Sequence, residues 1–139
     1  MAALVTAGGT DLIALAHDKL GARFVGTSEL DRLTRVLRQG EQVITLADAL
    51  FRSGRQELRG LTVLTSERLI CVDTGTGYVP FAELELSAIT SVGAGMPNGS
   101  GDARRGEVTM LSGSVETRLV RVRPWERAAE IAQHIRAAI

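Results

Sequence analysis

The sequence is poor in cysteine and aromatic residues, and neither sign of charge is in excess. Among its 139 residues only Cys71 is a cysteine, so no disulfide can form within the chain and a four-thiolate metal site is excluded. Phe24, Phe51, Tyr78 and Phe81 are too scattered for a surface that stacks nucleic-acid bases. The 16 basic and 16 acidic residues give zero net charge, so no overall field attracts nucleic acid. We therefore expect no nucleic-acid partner.

Long hydrophobic runs are also missing. No segment approaches the roughly 20 apolar residues that a transmembrane helix needs. The N-terminal segment is only mildly apolar and lacks the basic start of a signal peptide. We expect a cytoplasmic protein whose only contact with a membrane would be peripheral.

Patterns that carry catalysis are missing as well. No serine lies in a G-x-S-x-G elbow, and the glycine-rich loop 93–101 has Asn98 where a G-x-G-x-x-G motif needs glycine. His17 and His134 have no carboxylate or cysteine at ligand spacing. The sequence therefore predicts a protein that is not an enzyme, with no catalytic residue, cofactor, metal site or small-molecule substrate.

The N-terminal residues 1–38 are predicted to form a helical extension. Asp11 or the residue before it can cap a first helix that Gly21 ends, and Ser28 can cap a second helix that ends at Gly40. Leucines recur at helical spacing in both segments. Two short amphipathic helices cannot form a core alone, so we expect them to lie on another part of the molecule.

The remainder of the chain, 39–139, is predicted to form one mainly β domain. Turn signals rich in glycine and serine separate seven strand patterns, at 43–52, 57–65, 68–73, 78–83, 88–92, 106–111 and 115–122. Short strands at this spacing favour a sandwich or a small barrel. A C-terminal helix is predicted at 124–139, and it can plug an open end of a barrel. Its predicted apolar stripe consists of Trp125, Ala128, Ala132, Ile135 and Ile139.

The hairpin at 61–73, LTVLTSERLICVD, is apolar on both faces. A two-residue turn places Val63 opposite Ile70 on one face and Leu64 opposite Leu69 on the other. A barrel wall with one wet face would alternate more cleanly between apolar and polar residues. We expect the face with Leu64 and Leu69 to be the outer one, covered either by the N-terminal helices or by a second protomer.

Residues 38–139 resemble bacterial pleckstrin-homology (PH) domains. GLTVLTSERLICV (Gly60–Val72) resembles their G-x-L-x-L-T-x-x-R-L pattern, YVPFAELELSAITSV (Tyr78–Val92) their next step, and GEQV (Gly40–Val43) their opening. The resemblance implies an α+β, mainly β fold: a seven-stranded, strongly bent barrel capped by a C-terminal α-helix. In this chain two short N-terminal helices precede that barrel, which divides the chain into 1–38 and 39–139.

PH-like barrels serve as binding scaffolds, so the resemblance implies a non-catalytic interaction or scaffold domain that binds protein partners. The second apolar face of the hairpin adds an expectation of self-association into a homo-oligomer. The predicted protein-contact surface consists of Leu64, Leu69 and two arginines beside the glycine-rich loop, Arg104 and Arg105.

The alternative is peripheral membrane binding through anionic lipid headgroups. PH domains that bind phosphoinositides use basic residues around their first hairpin, and the matching residues here are Arg52, Arg55 and Arg59. Guanidinium groups bind phosphate through paired hydrogen bonds. Glu57 stands where a further base would help, so solvated arginines at strand ends are the simpler interpretation.

Overall fold

A computed structural model describes residues 6–7, 10–21, 27–73, 81–95 and 106–139. The chain begins with two very short paired strands, β1 (Thr6–Ala7) and β2 (Thr10–Asp11). Seven further strands form one antiparallel sheet: β3 (Val43–Ser53), β4 (Gln56–Thr65), β5 (Arg68–Asp73), β6 (Phe81–Glu85), β7 (Ser91–Gly95), β8 (Gly106–Ser112) and β9 (Val115–Arg123). The predicted seven-stranded, mainly β fold is confirmed.

The strand order in this sheet is β6-β5-β4-β3-β9-β8-β7. β6 and β7 lie at the two edges of this bent sheet and do not pair with each other among the described residues. The sheet is therefore a half-barrel rather than a closed barrel. The strand predicted at 88–92 is placed too early, because Leu86–Ala88 forms a 3₁₀ turn and β7 begins only at Ser91. The start of the strand predicted at 78–83 lies outside the described residues.

The inner face of the half-barrel is closed by α3 (Glu126–Ala138), which confirms the predicted C-terminal helix. Its buried residues are Ala128, Ile131, Ala132 and Ile135, and they pack against core side chains that include Phe51, Leu64, Leu69 and Met110. Full burial of one such large side chain stabilises a fold by about 1.5–3 kcal/mol. The predicted stripe is corrected at two positions: Ile131, which the prediction left out, is fully buried, whereas Ile139 is 51% exposed.

Close contact between α3 and the sheet depends on a glycine. A Cβ atom added to Gly106 would lie 2.5 Å from the Cβ of Ala128 and 2.8 Å from the carbonyl oxygen of Trp125. Both distances are shorter than real Cβ contacts allow. Glycine at this position therefore lets β8 approach the first turn of α3.

The outer face of the sheet is covered by two helices, α1 (Leu12–Leu20) and α2 (Thr27–Val36). The Asp11 side chain caps α1 by accepting hydrogen bonds from the backbone N–H groups of Ile13 (3.0 Å) and Ala14 (3.2 Å). The residues that α1 and α2 bury form a second core with the sheet: Leu12, Ala16, Leu30 and Leu33 against Leu46, Leu61, Val63, Ile70 and Val72. The helices thus lie on the sheet, as expected, while the domain boundary between residues 38 and 39 stays a prediction.

The register of the predicted hairpin is confirmed, but the assignment of its faces is wrong. Val63 pairs with Ile70 and Leu64 with Leu69. Leu64 and Leu69 are completely buried in the inner core beneath α3, and the opposite face is the outer one. Because both faces are apolar, their alternation alone carries no information on which is inside. The cover of the outer face is the chain's own N-terminal helices, and Leu64 and Leu69 offer no surface to a partner here.

Candidate functional site: an arginine cleft

Six charged side chains cluster where β4 turns into β5, and we call them the clasp: Arg38, Glu41, Glu67, Arg68, Glu83 and Glu85. At its centre Arg68 donates to Glu41 from Nε (2.9 Å) and from Nη2 (3.0 Å). The side chains of Arg68 and Glu41 are only 3% and 0% exposed. This bidentate pair is therefore shielded from solvent and from salt.

The clasp also satisfies backbone groups. Arg68 donates from Nη2 to the carbonyl oxygen of Val36 at 2.6 Å, which is one of the carbonyls that the end of α2 leaves without a helical partner. Thr65 donates to Glu41 at 2.6 Å, and the backbone N–H of Arg38 donates to the same carboxylate at 2.9 Å. The clasp thereby ties the end of α2 and the start of β3 to the hairpin.

Hydrogen bonding fixes the charge states within the clasp. Burial alone would raise the pKa of Glu41, but hydrogen bonds from Arg68, from the Arg38 backbone and from Thr65 outweigh burial and lower this pKa below its ordinary value. Hydrogen bonds from Arg38 lower the pKa of Glu85 in the same way. Since both arginines already bond carboxylates, the clasp is suited to holding the structure rather than a ligand.

The three arginines predicted as a lipid site lie at different positions along the first hairpin. Arg52 lies near the end of β3 and donates from Nε to Glu57 at 2.8 Å. Arg55 is exposed in the turn between β3 and β4, and Arg59 lies farther along β4, opposite Leu50. The other predicted contact residues, Arg104 and Arg105, lie outside the described residues.

Arg59 belongs to a different site, a cleft of about 260 Å³ on the outer side of β3, β4 and β9. Its charged lining residues are Asp48, Arg59, Arg121 and Arg123, and we call this group the arginine cleft. The backbone register explains their convergence: Asp48 of β3 pairs with Arg123 of β9, and Leu50 of β3 pairs with Arg59 of β4. Residues distant in sequence thus face one hollow.

A bulge in β9 shapes the cleft. From Asp48 to Leu50 on β3, the paired residue on β9 moves from Arg123 to Val120, so β9 carries one extra residue. Arg121 lies within this step and has a backbone φ of 56°, in the left-handed region that non-glycine residues seldom adopt. Bulges redirect side chains, and this one places Arg121 and Arg123 at the same cleft.

The described lining of the cleft is rich in arginine. Among the described residues that line it, three are arginines and one, the half-buried Asp48, is an acid. Burial raises the pKa of Asp48 above its ordinary value, while the charges of Arg59 and Arg123 act in the opposite direction. A concave site with three guanidinium groups offers hydrogen-bond donors to an anion.

A second, shallow depression lies near the turns that join β3 to β4 and β8 to β9. Its described lining residues are Arg52, Gly54, Ser114, Val115, Glu116 and Arg118. Its two arginines have acidic neighbours, because Arg52 pairs with Glu57, and Arg118 pairs with Glu107 and lies 3.7 Å from Glu116.

Sequence reasoning found Arg59 but missed Arg121 and Arg123. The available signal was the arginine-rich strand VETRLVRVR at Val115–Arg123. Within the part of the chain that the structure describes, no three His, Cys, Asp or Glu side chains are placed to hold a metal ion. None of the described helices is long and apolar enough to cross a membrane.

The fold is similar to that of a solved PH domain and of one further solved domain. The N-terminal PH domain of Vps36 matches with a TM-score of 0.59 and 19% sequence identity, over 74% of this chain and 85% of that chain. The C-terminal domain of an unknown protein from Leishmania infantum matches with a TM-score of 0.50 and 11% sequence identity, over 76% of this chain and 88% of that chain. No family model and no curated protein matches the sequence. The chain has a PH-like fold, and identities this low establish the fold alone.

Proposed function

We propose that this chain is a non-catalytic interaction domain that binds an acidic segment of a protein partner through the arginine cleft. The observation that carries this proposal is the convergence of three arginines, Arg59, Arg121 and Arg123, on one concave site, on a chain whose net charge is zero. Arginine is well suited to such a role, because its planar guanidinium group binds carboxylates through two parallel hydrogen bonds.

Charge, rather than apolar area, is the recognition chemistry that the described surface offers. Both apolar faces of the hairpin are covered within the chain. The exposed large hydrophobic residues of the described part are only Leu111, Val115 and Ile139. The centres of stable hydrophobic interfaces are usually built from clusters of buried aromatic and aliphatic anchors. Binding at the cleft should therefore be electrostatic and should weaken as salt screens the charges.

The predicted self-association rested on the apolar hairpin face with Leu64 and Leu69, and α3 covers that face, while α1 and α2 cover the opposite one. A homo-oligomer thus remains a prediction, without an apolar interface among the described residues to support it. Light scattering of the full chain over the micromolar range is the direct test. A mass that rises with concentration would restore self-association as a function of this domain.

Binding of a labelled glutamate-rich peptide to the full chain, followed by fluorescence anisotropy at low salt, tests the proposal. We expect salt-sensitive binding that Arg59→Gln and Arg123→Gln weaken. Arg55→Gln is the matched control, because it removes the same charge from an exposed position in the β3–β4 turn, outside the cleft. Equal losses in all three variants would show general charge attraction and contradict a role for the cleft.

Peripheral membrane binding at the first hairpin is the second proposal, supported by the exposed position of Arg55 at the β3–β4 turn. The pairing of Arg52 with Glu57 weakens it, because only part of the predicted positive charge is available there. Flotation with vesicles of anionic lipid at low salt should show binding that Arg55→Glu removes. Protein that stays at the bottom of the gradient would eliminate this alternative.

A further inference from the structure

We infer that β7 pairs edge to edge, in antiparallel direction, with the β7 strand of a second copy of this chain. The inference is independent of the arginine cleft, because it concerns the backbone of a different strand. Among the described strands β7 has one neighbour, β8, and lies at the edge of the sheet. Alternate residues of such a strand direct their backbone N–H and C=O groups away from the sheet, where a further strand can bind them.

The backbone of β7 is accessible to a partner. Four of its five residues are exposed, and Val92 is half-buried against the inner core. Gly93 has no side chain to shield the chain, and a Cβ added there would have no atom within 4 Å beyond the adjoining residues. α3 packs beside β7, but the hydrogen bond from Nη2 of Arg136 to the carbonyl oxygen of Val92 is long (3.4 Å) and exposed. β7 thus offers its hydrogen-bonding backbone to a partner.

The two edges of the sheet differ in their protection. β6 carries Glu83 and Glu85, which bond the arginines of the clasp. Charged side chains on an edge strand discourage pairing with another chain. β7 has the sequence SVGAG, without a charged residue or a proline, and its pairing with β8 runs without a bulge. β7 is therefore the edge better suited to accept a further strand.

The sequence of β7 suits pairing with itself. Antiparallel pairing over all five residues places Gly93 of one copy opposite Gly93 of the other, and Val92 opposite Ala94. The small residues at the centre avoid a clash, and no like charges meet across the two-fold axis. The same surface is used by both copies, so the contact closes as a symmetric dimer and does not extend into a fibre. These features favour a second copy as the occupant of this edge.

Such a dimer should be weak and reversible. Five residues supply few backbone hydrogen bonds, and an interface built on one short strand is smaller than the roughly 1,600 Å² of a standard stable complex. Light scattering of the full chain from about 10 μM to about 1 mM covers the range of a transient contact. We expect the average mass to rise from that of one copy toward that of two, and no further.

Opposite charges at the centre of the pairing provide the decisive test. Gly93→Lys and Gly93→Glu should leave the fold and its melting temperature unchanged, because a side chain there meets open space without a left-handed backbone. Each variant places like charges directly opposite in its own dimer, so each should dimerise about fivefold more weakly than wild type at low salt. An equimolar mixture of the two places opposite charges together and should dimerise at least as tightly as wild type.

Gln56→Lys is the matched control. It adds the same charge at an exposed position of β4, which is not an edge strand of the described sheet. We expect it to dimerise as wild type does. An equal loss in Gln56→Lys and Gly93→Lys would show general charge repulsion and contradict pairing through β7.

Two further outcomes would overturn the inference. A wild-type chain that stays monomeric at every concentration would leave the β7 edge to a strand of another protein or to water. Dimers that form equally well in wild type and in both Gly93 variants would place the contact elsewhere on the molecule. Neither outcome bears on the acidic partner of the arginine cleft, because Gly93→Lys should bind the glutamate-rich peptide as wild type does.

Discussion

The clasp and the arginine cleft are both rich in arginine, but the arginines have different surroundings in the two places. In the clasp two arginines face four glutamates, an excess of two negative charges, and its central pair is buried. In the cleft the described lining includes three arginines and one aspartate, and all three arginines are exposed. Arginine content alone therefore indicates no function. Burial and the number of acidic partners decide whether an arginine holds the fold together or can receive a ligand.

The largest effect should come from breaking the clasp. Arg68→Met would leave the Glu41 carboxylate buried without its main partner and would remove the donor to the Val36 carbonyl. Removal of one member of a buried ion pair typically costs about 3–5 kcal/mol of folding free energy. Chemical denaturation should show a loss of this size, while affinity for the glutamate-rich peptide stays unchanged under conditions where the variant is folded.

A double variant, Glu41→Leu with Arg68→Met, is the control for this prediction. It removes the stranded charge, so it should recover much of the stability that Arg68→Met loses. The pKa of Glu41 is lowered in the fold, so the stability that the clasp contributes is present above the ordinary glutamate pKa and is lost as pH falls through the lowered value. A gap between wild type and Arg68→Met that stays constant down to strongly acidic pH would contradict this description of the clasp.

The clasp also explains why part of the fold could be predicted from the sequence. The patterns that resemble PH domains include the glutamate of GEQV and the threonine and arginine of LTSERL. In the structure these are Glu41, Thr65 and Arg68, which bond one another. The pattern therefore marks a local, self-contained interaction around one turn. Which hairpin face is the inner one depends on α3 and on α1 with α2, and the hairpin's own residues do not encode that choice.

A substitution that removes no charged group tests whether α2, the helix that ends at the clasp, stabilises the fold. Leu33 of α2 is fully buried against the outer face of the sheet, one turn before Val36. Leu33→Ala should cost about 2–5 kcal/mol through lost burial and the cavity that it leaves. Leu64→Ala in the inner core is the matched comparison and should cost a similar amount. If Leu33→Ala costs less than about 1 kcal/mol while Leu64→Ala costs the expected amount, the helices cover the sheet only loosely.

Asp48→Asn in the cleft should change stability less than the substitutions above, and it should stabilise the fold rather than destabilise it. Burial raises the pKa of Asp48, which means that the folded state disfavours its ionised form. Asp48→Asn should therefore raise the melting temperature at neutral pH. The gain should vanish at pH values below the ordinary aspartate pKa, where wild-type Asp48 is protonated in both the folded and the unfolded state. A gain that persists at acidic pH would contradict the charge explanation.

The cleft could not be predicted from the sequence, for a reason of geometry. Arg59 lies on β4, and Arg121 and Arg123 lie on β9, more than 60 residues later in the chain. They meet only because β3 pairs with both strands and because the β9 bulge shifts the register by one residue. Grouping by sequence instead placed Arg59 with Arg52 and Arg55, which the structure keeps out of the cleft.

Amide chemical-shift mapping by NMR during titration of the glutamate-rich peptide into the full chain tests the central claim most directly. The clasp and the cleft lie in different segments, so one spectrum reports on both. We expect the largest shifts at residues 48–50, 59 and 121–123, with little change at 38–41 and 65–68. Shifts confined to the clasp or to the β3–β4 turn would contradict the assignment of ligand binding to the arginine cleft.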